Sequence, residues 1–153
     1  MILAVVGFLV LALCVALIVA VVRDPGPRPD DVALAYELAW DRLDFDSLWT
    51  LSGRELRDGL DRAAFIAAKR AAYESRPELG RLAHEVEIAD VATGVSHAAV
   101  RTSVLLRDGE HVNNQIQLAK RGGKWLVVGY RLLDPASVPF PASDGKKSTN
   151  AEG

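Results

Sequence analysis

Chemistry in this 153-residue chain would centre on one short polar row, His84, Thr102 and Asn114, set among alternating valine, isoleucine and leucine. An imidazole, a hydroxyl and an amide on one apolar face can hydrogen-bond a ligand, and an imidazole beside a phenol can move a proton. Tyr36 and Tyr73 are the phenols that would join them, if the segments carrying them cover the same face. Two readings of the row stand side by side. Its members satisfy one another or are exposed as the sheet curls, or they form the polar floor of a ligand pocket. An unpaired polar group on a covered face costs roughly 1–3 kcal/mol, so the row needs partners either way.

Other chemistry is poorly supported. Gly94-Val95-Ser96-His97-Ala98 is similar to a nucleophile elbow, but it ends in alanine and opens a hairpin strand, where the elbow needs a strand-to-helix turn. The three histidines fall at different ends of the expected strands and cannot converge on one ion. No phosphate loop, zincin helix or dinucleotide fingerprint occurs. Glu87 and Asp90 are carboxylates of the kind that surface strands carry routinely. No catalytic residue, metal or cofactor is therefore assigned. A net charge of −2 without a basic patch gives no reason to expect nucleic acid. The single cysteine, Cys14, excludes an intrachain disulfide and leaves the redox compartment open.

The elements that must position the row lie between Leu82 and Leu132. Four strand-like runs are separated by Thr93-Gly94, Asp108-Gly109 and Gly122-Gly123, the pattern of an antiparallel meander. A one-residue slip turns every side chain over, which constrains the pairing. Val100, Thr102, Val104 and Leu106 share one face, as do Val112, Asn114, Ile116 and Leu118. These faces coincide only if Arg107-Asp108-Gly109 is a three-residue loop with left-handed glycine last. That loop pairs Val104 with Val112, Thr102 with Asn114 and Val100 with Ile116. By the same logic Leu82, His84, Val86 and Ile88 share the face, Ala92-Thr93-Gly94 forms the first loop, and His84 stands opposite Thr102. The fourth strand is ambiguous, because Trp125 and Val127 on one side and Leu126, Val128 and Tyr130 on the other are all apolar. The reverse face carries Arg101, Ser103, Asn113, Gln115 and Gln117, either solvated or a surface for a protein partner or homodimer.

Upstream, Val32, Tyr36, Ala39 and Leu43 recur at helical spacing with Glu37, Asp41 and Arg42 on the other side, after an expected N-cap at Asp30-Asp31. A short helical piece over Asp44 to Leu51 turns Phe45, Leu48 and Trp49 inward. Ser52-Gly53 breaks it. A further helix from Asp61 to Tyr73 aligns Phe65, Ala68, Ala72 and Tyr73.

Met1 to Val22 has no charged or strongly polar side chain and, as a helix, would span roughly 33 Å, enough for a hydrocarbon core. It lacks the basic n-region and cleavage site of a signal peptide, and Leu13 before Cys14 does not suit a lipoprotein signal. A retained, single-pass transmembrane anchor is expected. Residues 23–30 (RDPGPRPD) then form a stiff Pro-rich linker, residues 31–133 an α+β domain, and residues 134–153 a disordered polar tail. Arg23 and Arg28 beyond the span favour a cytoplasmic domain, whereas an anchor at the extreme N-terminus commonly exports the domain behind it. A charge difference of about one unit leaves the side open, with a lean towards the extracytoplasmic face of the cell membrane.

Helices over Ala33 to Arg57 (ALAYELAWDRLDFDSLWTLSGRELR), followed by a meander ending KWLVVGYRLL, resemble the cystatin-like cone of the nuclear-transport-factor-two superfamily, especially its small membrane-anchored bacterial members. The resemblance covers Asp30 to Leu133. It implies helices packed on a curved four-stranded antiparallel sheet. It also implies either a non-catalytic binding module or, as in the ketosteroid isomerases and polyketide cyclases, an enzyme working inside the cone with an acid or base and a tyrosine. The sequence places no carboxylate on the inner face, except Asp90 at its rim. The expectation is therefore a membrane-tethered, non-catalytic domain that binds a protein partner or small apolar ligand. The alternative is a cone-pocket isomerase, dehydratase or cyclase using His84 with a tyrosine.

Overall fold

A computed structural model describes Val6, residues 9–16 and residues 26–133. Val6 and residues 9–16 are helical. Among the described residues no helix is long and apolar enough to cross a membrane. The expected span over Met1–Val22 lies largely, and the expected tail over residues 134–153 wholly, outside them.

The domain begins with helix α1, Pro29–Asp41. Its N-cap is Arg28 rather than Asp30 or Asp31, because Pro29 occupies the first helical position, where a fixed φ and a missing N–H cost nothing. The Arg28 backbone N–H donates to the Asp31 carboxylate at 3.2 Å, and both aspartates complement the positive end of the helix. Helix α2, Phe45–Leu51, is capped by Asp44, which accepts from the Ser47 backbone N–H at 3.1 Å and from its hydroxyl at 2.6 Å. These bonds hold the Asp44 carboxyl below its ordinary range. Helix α3, Arg62–Glu74, is capped by Asp61 through the Ala64 N–H at 2.9 Å.

Four strands come next: β1 (Ala83–Thr93), β2 (His97–Leu106), β3 (His111–Arg121) and β4 (Lys124–Leu133). They form one antiparallel sheet in the order β1-β2-β3-β4, so the domain is α+β with helices packed on a four-stranded meander. Helix α1 lies across the apolar face, touching β1, β2 and β4. Helix α2 packs between α1 and α3 and reaches β4. The core gathers Val32, Ala33, Leu48, Val100, Ile116 and Val127 between the layers.

The central hairpin has the register deduced from alternation. Val104 pairs with Val112, Thr102 with Asn114 and Val100 with Ile116. Gly109 closes its loop at φ 91°. The outer strands differ through three irregularities. In β1 the first turn lies further along than expected: Thr93 pairs with Ala98, and the Gly94 N–H donates to the His97 carbonyl at 2.8 Å. The stretch singled out as elbow-like is therefore this hairpin turn. Bulges at His84 and Ala89 then shift the register, so that Ile88, not His84, stands opposite Thr102. In β4 a bulge at Val128 reverses the alternation. Trp125 and Val127 are buried, and Tyr130, opposite Ile116, joins their face rather than that of Leu126. A bulge inserts one residue and bends its strand, which is how a sheet curls around a helix.

Candidate functional site

Glu37 is the residue around which the site is built. It stands one helical turn beyond Ala33 in α1, beside Tyr36, and only 6% of it is exposed. Sequence reasoning put it on the solvent side. The inward face of α1 is in fact broad enough to include Ala33, Tyr36 and Glu37 together with Val32 and Ala39.

Its carboxylate meets the polar row predicted on the sheet. The Thr102 hydroxyl donates to Oε1 at 2.6 Å and the Asn114 amide donates to the same oxygen at 2.9 Å. The Tyr130 hydroxyl donates to Oε2 at 3.2 Å. Thr102 and Asn114 are buried, at 0% and 2% exposure. Three donors on three elements thus converge on one carboxylate, the arrangement by which a buried charge is tolerated. None of the ion pairs among the described residues involves Glu37. Burial, reinforced by the Glu37 charge, pushes the Tyr130 phenol far above its ordinary value. Burial also raises Tyr36, against the opposing influence of the Trp40 and Ser52 side chains.

Above this floor lies a cavity of about 560 Å³ between α1, α3 and the sheet. Tyr36, Trp40, Phe65 and Tyr73 form its aromatic wall, and Val86, Val104, Leu106 and Val112 its aliphatic one. Trp40 is the hinge of the aromatic wall, with its ring 6.4 Å from Tyr36 and 5.9 Å from Tyr73. Lys69 also borders the cavity. Its ammonium lies 5.4 Å from the Phe65 ring centre and 3.7 Å from the Asp58 carboxylate. On α3 the inward side chains are Phe65, Ile66, Lys69 and Tyr73. Ala68 and Ala72, expected on that stripe, are exposed.

Of the five residues proposed from the sequence, Tyr36, Tyr73 and Asn114 line the cavity and Thr102 braces its floor. His84 does not belong to it. As the extra residue of the first β1 bulge it is exposed, while its neighbours Ala83 and Val86 face inward. Asp90 is likewise outside, bonded to Arg101 at 3.0 Å on the exposed side. Glu37, Trp40 and Tyr130 were missed. The spacing Pro29, Ala33, Glu37, Trp40 along one helical stripe was the available signal for the first two. A bulge that no residue pattern announces concealed Tyr130.

No known family profile matches the sequence, and no curated protein is similar enough to count as a relative. Solved structures do resemble it. A putative NTF2-like transpeptidase from Campylobacter jejuni is 18% identical, with a TM-score of 0.48 over 66% of this chain and 97% of that one. An NTF2-like protein of unknown function from Silicibacter pomeroyi is 18% identical, with a TM-score of 0.44 over 67% and 90%. A SEC-C motif containing protein from Rhodopseudomonas palustris is also similar, at 20% identity and a TM-score of 0.50 over 69% and 79%. At such identities the likeness concerns architecture alone.

Proposed function

We propose that this domain belongs with the NTF2-like proteins and binds a small, largely apolar molecule in the cavity over Glu37, as a non-catalytic module tethered beside a membrane. One observation carries the binding role. An apolar cavity of about 560 Å³ ends on a few convergent polar groups, which is the make-up of small-molecule sites of roughly 300–1,000 Å³. Tethering rests on the charge-free stretch Met1–Val22 and the Pro-rich spacer after it.

Calorimetric titration of the full-length chain in lipid nanodiscs, against a panel of apolar metabolites, tests the binding role. Leu106→Trp, which would fill the cavity from β2, should abolish any heat seen with the parent. Equal binding by that variant, or no binding across the panel, would refute the proposal. Alkaline carbonate extraction of host membranes tests the tether, and release of the chain into the supernatant would remove it.

A second reading is supported by the pairing of Glu37 with Tyr130. A carboxylate and a phenol at the floor of an apolar cavity are a base and a hydrogen-bond donor, the parts of a cone-pocket isomerase or dehydratase. Glu37 rather than His84 would then be the base. Solvent-deuterium incorporation into a cavity-sized ketone, lost in Glu37→Gln, would favour that reading over simple binding.

A further inference from the structure

We infer that the ligand of this cavity is a protonated amine on an apolar body, its N–H groups bonded to Glu37 and Asn114. The inference rests on the binding role proposed above and specifies the chemistry of that same site.

The floor of the cavity holds acceptors that no other described residue uses. Asn114 spends its amide N–H on Glu37, and its Oδ1, buried in the cavity lining, has no partner among the described residues. The amide cannot usefully be turned over, because its oxygen would then face the carboxylate. Among the described residues, Glu37 Oε1 takes two donors and Oε2 only the Tyr130 hydroxyl. A carboxylate offers about four lone-pair sites, so Oε2 can accept again. A ligand that reaches this floor is therefore asked for hydrogen-bond donors and offered acceptors.

Charge narrows the donor to a cation. Glu37 is buried without a cationic partner among the ion pairs of the described residues. Among the described residues the cavity lining holds four carboxylates, Glu37, Asp41, Glu55 and Asp58, against the single ammonium of Lys69. Arg121 neutralises Glu55, and Lys69 lies towards Asp58, so the uncompensated charge falls on the Glu37 side. Tyr36 and Trp40 in the same lining can pack against the apolar body that the cation is attached to. An ammonium on an alkyl or aryl group answers the bare acceptors, the excess charge and the apolar wall together.

The test titrates the full-length chain in nanodiscs with four probes on one cyclohexylmethyl body: the primary ammonium, its trimethylammonium counterpart, the alcohol and the carboxylate. The primary ammonium should bind at least tenfold more tightly than the trimethylammonium and the alcohol, with no detectable carboxylate binding. Glu37→Gln, which keeps the size of the side chain while removing its charge, should weaken the ammonium about tenfold or more and the alcohol by much less. If alcohol or carboxylate binds as well as the ammonium, the amine assignment fails and the binding role stands. The assignment fails likewise if the trimethylammonium equals the primary amine, since N–H donation is then not used. If Leu106→Trp binds every probe as the parent does, the cavity is not the site and both proposals fall.

Discussion

Replacing Thr102 by valine removes one hydroxyl and almost no volume, and it strikes the contact on which the site depends. Thr102 is fully buried and donates to Glu37 Oε1 at 2.6 Å. A hydrogen bond to a charged group contributes about 1.5–3 kcal/mol, more than a neutral pair, because the buried carboxylate loses part of the solvation that replaced water. Thr102→Val should therefore lower unfolding stability by about 1.5–3 kcal/mol. For a domain of roughly a hundred residues that corresponds to roughly 5–20 °C in melting temperature. Urea unfolding followed by tryptophan emission reads it directly, since Trp40, Trp49 and Trp125 all lie within the domain. A double-mutant cycle with Glu37→Gln isolates the charge, and the coupling should be about 1–2 kcal/mol. A Thr102→Val chain within about 0.5 kcal/mol of the parent would refute the reasoning, because it would mean that no carboxylate rests on that hydroxyl.

The same geometry sets three further outcomes. Tyr130 and Tyr36 are both raised above the ordinary phenol value, so their stabilising share is intact below about pH 10 and is lost as pH climbs above it, where the unfolded chain releases protons first. Tyr130→Phe should flatten the fall in stability on the alkaline side, and an unchanged alkaline limb in pH-dependent unfolding would contradict this. Gly53→Ala should destabilise by about 1–3 kcal/mol, since a Cβ there would sit 2.6 Å from the Glu55 carboxylate, 2.9 Å from a Val128 methyl and 3.3 Å from the Val127 carbonyl, against a backbone bond of 2.6 Å to that carbonyl. Equal urea midpoints for variant and parent would count against that close approach. His84→Ala should leave both stability and ligand binding unchanged to within about 0.5 kcal/mol, which thermal melts and calorimetry would check.

The chain's own local chemistry determined the meander and its central register. Alternation in β2 and β3, with a left-handed glycine at position 109, permits one pairing that buries both apolar faces, and that pairing is present. The same logic made Thr102 and Asn114 neighbours and required them to have a partner. Tertiary structure alone decided what the partner was. Glu37 reads as a surface residue because ionised side chains stay in water unless something distant solvates them, and its three donors come from β2, β3 and β4, between 65 and 93 residues further along the chain. The bulges at His84, Ala89 and Val128 were equally illegible. They answer the curvature of a sheet wrapped over α1, and curvature arises between elements, where no single strand's residue pattern records it.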